Sequence, residues 1–105
     1  MFKGIQEFQK LIKELYYERD TKRDRYATYL WLIEEIGELS EALRYNSKEK
    51  IEEEIADVYA WINSLANIYN IDIVEALNKK YPGYCIKCGQ NPCVCDEPKP
   101  LKKEE

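Results

Sequence analysis

The stretch WLIEEIGELSEALR, residues 31–44, decides the fold, because it combines a helical pattern of apolar residues with closely spaced carboxylates. At about 100° per residue its apolar side chains fall on one narrow stripe, which we expect to face the core of the protein. Glu35 lies at the edge of this stripe, and Glu38 lies about 60° further round, one turn along. Two acids therefore share an otherwise apolar face. The residues of the stripe are Leu32, Ile36, Leu39 and Leu43.

The same spacing extends through most of the chain and predicts an all-α protein. Between Phe2 and Tyr81 there is no proline, and the only glycine after Gly4 is Gly37. We interpret residues 1–81 as one helical body, folded as an antiparallel bundle because its helices are long and their connections short. The predicted helices are Phe2–Arg19, Arg25–Tyr45, Lys48–Tyr69 and Ile73–Tyr81, with Ser47 and Asp72 as N-caps.

The third predicted helix repeats the arrangement of the second. Glu54 and Asp57 lie beside its apolar stripe, again next to a tryptophan. A helical hairpin would bring these acids opposite Glu35 and Glu38. Four converging carboxylates repel one another when ionised, and a hard divalent cation removes that conflict. The sequence therefore predicts an oxygen-ligated Mg²⁺ or Mn²⁺ site.

A simpler interpretation of these acids stays open. The chain is rich in glutamate, and a single EExxE pattern usually marks a solvated helix face. On the third helix, residues 52–54 and the nearby Lys48 and Lys50 can form surface pairs. The second acidic pattern, at the matching edge of the next helix, favours the metal site.

Composition excludes several other functions. The chain has no histidine, which removes di-iron sites built from Glu-x-x-His and nucleophiles activated by imidazole. Its net charge of −4 makes a nucleic-acid partner an unfavoured interpretation. We find neither an apolar run long enough to span a membrane nor a secretory leader, so we expect a cytoplasmic protein. A chain of 105 residues is short for a deep active site, which favours an oligomer.

The motif EEIGE at residues 34–38, followed by EIAD at residues 54–57, resembles the EExxE and ExxD motifs of the MazG-like all-α nucleoside triphosphate pyrophosphohydrolases. The resemblance covers roughly residues 4–82. It implies Mg²⁺-dependent cleavage of a (deoxy)nucleoside triphosphate to the monophosphate and pyrophosphate, with a metal-activated water as nucleophile. It also implies a homodimer or homotetramer. By this resemblance Glu35, Glu38, Glu54 and Asp57 are the metal ligands, and Glu34 is a catalytic residue that orients the water or a further ion.

Residues that would hold the nucleotide are harder to assign. Trp31 and Trp61 border the acidic faces and are candidates for stacking on the base, although tryptophans at helical spacing more often belong to a core. Lys79 and Lys80, near the end of the body, are candidates for binding phosphates. The alternative for the two lysines is a solvated helix end.

The segment YCIKCGQNPCVCDEP, residues 84–98, contains every cysteine of the chain in the pattern C-x2-C-x4-C-x-C. Four thiols at this spacing predict one structural, tetrahedral Zn²⁺ site in an appendix at residues 82–96, followed by a flexible charged tail at residues 97–105. Disulfides or free thiols remain the alternatives. The zinc ligands would be Cys85, Cys88, Cys93 and Cys95.

Two other functions remain compatible with the sequence. The first is a non-catalytic interaction module, in which the bundle dimerises and the cysteine segment binds a partner. The second is a phosphoribosyl-ATP pyrophosphohydrolase, since those enzymes also carry acidic helices. Only the choice of substrate would separate that enzyme from a nucleoside triphosphate pyrophosphohydrolase.

Overall fold

The described part of the chain folds into four α-helices. A computed structural model describes residues 4–97, and all regular secondary structure among those residues is helical, which confirms the all-α class. Helix α3 packs against both α1 and α2. None of the described helices combines the length and apolar character that a membrane crossing requires. The helices are α1 (Ile5–Lys22), α2 (Arg25–Arg44), α3 (Lys48–Ile68) and α4 (Ile73–Lys80).

The structure divides into two compact units, the first ending at Val74 and the second beginning at Glu75. The first contains α1, α2 and α3, and the second contains most of α4 and the cysteine segment. The boundary drawn from the sequence after Tyr81 stays a prediction. The helix start predicted at Phe2 lies outside the described residues, as does the predicted charged tail apart from Glu97.

Helix α1 ends one turn later than the sequence indicates. The polar run that begins at Asp20 predicts a break, yet α1 continues to Lys22 because Asp20 is buried, with 2 % of its surface exposed. The Arg23 guanidinium donates to the Asp20 carboxylate at 3.0 Å, and the Arg23 amide donates to the Asp20 carbonyl. Helix α2 then begins after Asp24, whose side chain accepts from the amide of Tyr26 at 3.1 Å.

Helices α2 and α3 end in the same way, with an asparagine in the left-handed region. Asn46 and Asn70 have φ angles of 52° and 54°. At each site the next amide turns back to the helix: Ser47 donates to the carbonyl of Ala42, and Ile71 donates to that of Ala66. These are Schellman motifs, which satisfy the last carbonyls of a helix. Ser47 also caps α3, as predicted, by accepting from the amide of Lys50 at 3.4 Å.

The side chain of Gln9 ties α1 to the end of α3 and the start of α4. Its amide nitrogen donates to Asn67 at 3.0 Å and to the carbonyl of Ile71 at 2.7 Å. Its amide oxygen accepts from the backbone of Ile73 at 3.0 Å. Because Asn67 is buried, this network fixes the chain path between α3 and α4.

The apolar stripes of α2 and α3 are covered less than predicted. Leu32 is buried, but Ile36 and Leu43 are 41 % and 56 % exposed, and Ile55 on α3 is 54 % exposed. The expectation that the stripe of α2 faces the core is therefore wrong for Ile36 and Leu43 within one chain. Much of the deepest interior is polar instead: Asp20, Thr28, Asn63, Ser64 and Asn67.

Candidate metal centre and active site

Three carboxylates meet between α2 and α3. Glu35 and Glu38 are one turn apart on α2, and Glu54 comes from α3. Each offers an oxygen that lies within 4.8 Å of the others. Glu35 and Glu54 are half-buried, whereas Glu38 is exposed. The structure thus brings together three of the four acids that the motifs single out as ligands.

Burial and the crowding of these acids raise the pKa values of Glu35 and Glu54. The pKa of Glu35 rises from 4.5 to about 7, first because burial disfavours the charged form and next because Glu38 is close. A hydrogen bond with Glu54 and the charge of Asp57 add to this rise. Burial also raises the pKa of Glu54. Near neutral pH, Glu35 therefore exists partly as the neutral acid when no cation is present.

The cluster fits a hard cation by the chemistry of its atoms. One oxygen of Glu35 and one of Glu54, Oε2 in each case, are buried and have no hydrogen-bond partner. Buried polar atoms are nearly always paired, so two unpaired oxygens in one cluster indicate ligand positions. An all-oxygen, carboxylate donor set suits Mg²⁺ or Mn²⁺.

The other two acids of the motifs occupy different positions. Asp57 is exposed and lies outside the group of three, but its charge raises the pKa values of both Glu35 and Glu54. Glu34 is exposed on α2 and also lies outside the group. The metal-binding role of Asp57 and the catalytic role of Glu34 stay predictions.

A cavity of about 300 Å³ adjoins Asp57. Asp57 contributes a carboxylate from α3, Arg19 contributes a guanidinium from the end of α1, and Arg23 contributes a second one from directly after it. The cavity thus combines cationic and aromatic side chains with the carboxylate of Asp57. Among the residues that line it are Arg19, Asp20, Arg23, Trp31, Asp57 and Trp61.

The two tryptophans contact each other in this cavity. Their rings pack edge to face, with centroids 5.1 Å apart. The guanidinium of Arg23 lies 4.7 Å from the Trp31 ring and 5.3 Å from the Trp61 ring. Trp31 remains 47 % exposed, so part of its surface is free to contact a ligand. The stacking role predicted for both rings stays a prediction.

The other predicted substrate residues, Lys79 and Lys80, are exposed in the last turn of α4. Sequence reasoning missed Arg19 and Arg23, because it interpreted residues 20–24 as a break between helices. A signal for Arg23 was present, because an aspartate and an arginine three residues apart can pair near the end of a helix, and Arg23 directly follows α1.

The four cysteines also meet, within the second unit. Their sulfur atoms lie within 4.8 Å of one another. Backbone amides of Val94 and Gln90 lower the pKa of the Cys88 thiol to about 6. Hydrogen bonds with its three neighbours, Cys93 foremost, raise the pKa of Cys95 to about 12. The close packing of the thiols thus moves the pKa values of Cys88 and Cys95 in opposite directions.

A family model of the MazG nucleotide pyrophosphohydrolase domain matches residues 23–84, which is more than half of the chain and contains α2, α3 and α4. The chain belongs to this family. The match confirms the resemblance indicated by the EExxE and ExxD motifs, and it identifies the MazG domain as a nucleotide pyrophosphohydrolase in general terms. Comparison with curated proteins gives no match. The MazG match ends before Cys85, so it does not account for the cysteine segment.

Proposed function

We propose that this MazG domain hydrolyses nucleoside triphosphates to the monophosphate and pyrophosphate, with Mg²⁺ or Mn²⁺ held by Glu35, Glu38 and Glu54. The observation that carries the proposal is the meeting of these carboxylates with two unpartnered oxygens among them. Asp57, one turn beyond Glu54 on α3, completes the ligand set by the family motif.

The bound ion would supply neutralisation of phosphate charge and a lower pKa for the attacking water. The carboxylates would hold the ion and must be ionised to do so. Cation binding favours the ionised form because it lowers the pKa of Glu35. Glu34 is the candidate for orienting the water, since the chain has no imidazole to act as a base.

We assign the cavity beside Asp57 to the nucleotide. Arg19 and Arg23 provide positive charge, and Trp31 and Trp61 provide aromatic surface. Asp20 holds the Arg23 guanidinium through a hydrogen bond of 3.0 Å, which positions it beside the rings. Lys79 and Lys80 are additional candidates for phosphate contacts.

The proposal includes a homodimer or homotetramer of antiparallel bundles. A single chain exposes large apolar side chains along α2 and α3, among them Leu30, Ile33, Leu43 and Ile55. So many exposed large apolar side chains in one small chain favour an interface between subunits. Size-exclusion chromatography with light scattering tests this part: a monomer at micromolar concentration would contradict it.

Product analysis tests the reaction itself. Phosphorus NMR of a nucleoside triphosphate incubated with the protein and Mg²⁺ should show the monophosphate and pyrophosphate. A diphosphate and inorganic phosphate would instead show cleavage at the terminal phosphate and refute the proposed reaction. Phosphoribosyl-ATP should be included as a substrate, because its preferential hydrolysis would assign the domain to that related reaction.

A further inference from the structure

The cysteine segment is independent of the acidic site and needs its own explanation. Cys85, Cys88, Cys93 and Cys95 lie in the second unit of the structure, beyond the MazG match. All four are free thiols. Nothing in the proposed hydrolysis uses them.

Two of the distances between the sulfur atoms match the edge of a tetrahedral site, and all four sulfurs lie within 4.8 Å of one another. Cys85 Sγ lies 3.7 Å from Cys95 Sγ, and Cys88 Sγ lies 3.9 Å from Cys93 Sγ. Zinc binds thiolates at about 2.3 Å, so the edge of a regular Zn–S4 tetrahedron is about 3.8 Å. The four sulfurs therefore surround a space of the size that one ion fills.

Backbone amides around the cysteines donate hydrogen bonds to their sulfur atoms. The amide of Val94 donates to Cys88 Sγ at 3.5 Å, and the amide of Cys95 donates to Cys93 Sγ at 3.3 Å. Amides of Lys87 and Cys88 do the same for Cys85. Such bonds stabilise the thiolate, which is the form that binds metal.

A tight turn sets this geometry. Gly89 donates to the carbonyl of Cys85 at 2.7 Å, and the Cys85 amide donates to the carbonyl of Gln90 at 2.9 Å. Gly89 has φ of 74°, a value that favours glycine over other residues. The turn therefore favours a glycine directly after the second thiol of the CIKCG segment.

The second unit has no apolar core to hold this turn together. Among its described residues, 75–97, only Cys85, Cys88 and Cys95 are shielded from solvent, while Tyr84 and Val94 are 54 % and 69 % exposed. Segments of this size without a core are usually stabilised by disulfides or a metal. Here the cysteines are themselves the centre of the unit.

We infer that Cys85, Cys88, Cys93 and Cys95 bind one Zn²⁺ that folds the segment around residues 84–95, separately from the cation of the acidic site. Binding replaces the remaining thiol protons, which pass to solvent, and involves no change of oxidation state. In this arrangement the paired sulfurs lie 3.7 and 3.9 Å apart, well beyond the length of about 2.05 Å of a disulfide bond. The close sulfurs also leave room for one ion rather than a multinuclear cluster.

Metal analysis of the full chain, purified without an affinity tag or chelator, tests the inference. Inductively coupled plasma mass spectrometry should find one zinc per chain. Cys88→Ser and Cys95→Ser should each lower the zinc content at least tenfold. Lys87→Ala is the matched control, because its side chain lies in the same turn and binds nothing; it should keep full zinc.

A second measurement guards against variants that fail to fold. In the unaltered chain, amide NMR signals of residues 84–95 should be dispersed with zinc and collapse on chelation, while signals of α2 and α3 stay in place. The variant Glu38→Gln should retain its zinc, whether or not it hydrolyses nucleotides. Folded protein without zinc, with iron in its place or with the cysteines in disulfides would overturn the inference.

Discussion

Substitution of one carboxylate in the acidic cluster should stabilise the protein when no metal is present. Glu38 has a carboxylate oxygen within 4.8 Å of those of Glu35 and Glu54. Two unit charges at this distance repel by about 1 kcal/mol in water and about 3 kcal/mol at a protein dielectric near 20. Glu38 is exposed, so the lower figure applies. We expect Glu38→Gln to raise the free energy of unfolding by about 1 kcal/mol at pH 8 in EDTA.

Urea denaturation followed by circular dichroism measures this effect. The gain should shrink toward pH 5, because Glu35 then carries a proton and the repulsion falls. With saturating Mg²⁺ the order should reverse, since the unaltered protein gains binding energy that the variant lacks. The control is Glu41→Gln, which removes an exposed acid from α2 outside the cluster and should change little. Clear destabilisation by Glu38→Gln in EDTA would refute the reasoning and assign Glu38 a structural role.

Three further predictions concern other parts of the molecule. The native state keeps a proton on Glu35 up to about pH 7, whereas the unfolded state loses it near pH 4.5. The metal-free stability of the protein should therefore fall as pH rises across this interval. The stability of Glu35→Gln should not show this fall. The loss in free energy of unfolding across the interval would be about 3 kcal/mol in a dry site and about 1 kcal/mol with solvent screening. Denaturation curves at several pH values test it. Gln9→Ala should lower the free energy of unfolding by about 2 kcal/mol, because the side-chain oxygen of the buried Asn67 and two backbone groups lose the hydrogen bonds that Gln9 makes with them. A thermal melt unchanged from that of the original chain would contradict this. Arg23→Ala should shift tryptophan emission and raise KM more than it lowers kcat, because the guanidinium lies over Trp61. An unchanged KM would show that Arg23 does not contribute to substrate binding.

The acidic cluster could be predicted from the sequence because it depends on local geometry. Spacing on a helix fixes that Glu35 and Glu38 share a face, and a short turn after α2 fixes that Glu54 lies opposite them. The Cys-x2-Cys-Gly pattern fixes a turn in a similar way, so the meeting of the cysteines was also predictable. In both cases the residues that meet in the folded protein are only a few positions apart in the sequence or lie on adjacent helices.

The cavity and the apolar faces could not be predicted in this way. The cavity needs the end of α1 beside α3, and Arg23 reaches it only because Asp20 is buried and α1 continues past it. The apolar pattern shows that a face is covered but not what covers it. Ile36 and Leu43 follow the pattern of a core, yet a single chain leaves them exposed.

Pyrophosphate release is the measurement that tests the central claim most directly. The purified protein should be assayed with a panel of nucleoside triphosphates, with Mg²⁺ and with chelator, beside Glu38→Gln and the control Glu41→Gln. The proposal predicts release that requires Mg²⁺, persists in Glu41→Gln and falls at least a hundredfold in Glu38→Gln, since a ligand to the ion is lost. Equal release by unaltered protein and Glu38→Gln, or no release from any triphosphate by folded protein with Mg²⁺, would contradict the claim that these carboxylates form a catalytic metal centre.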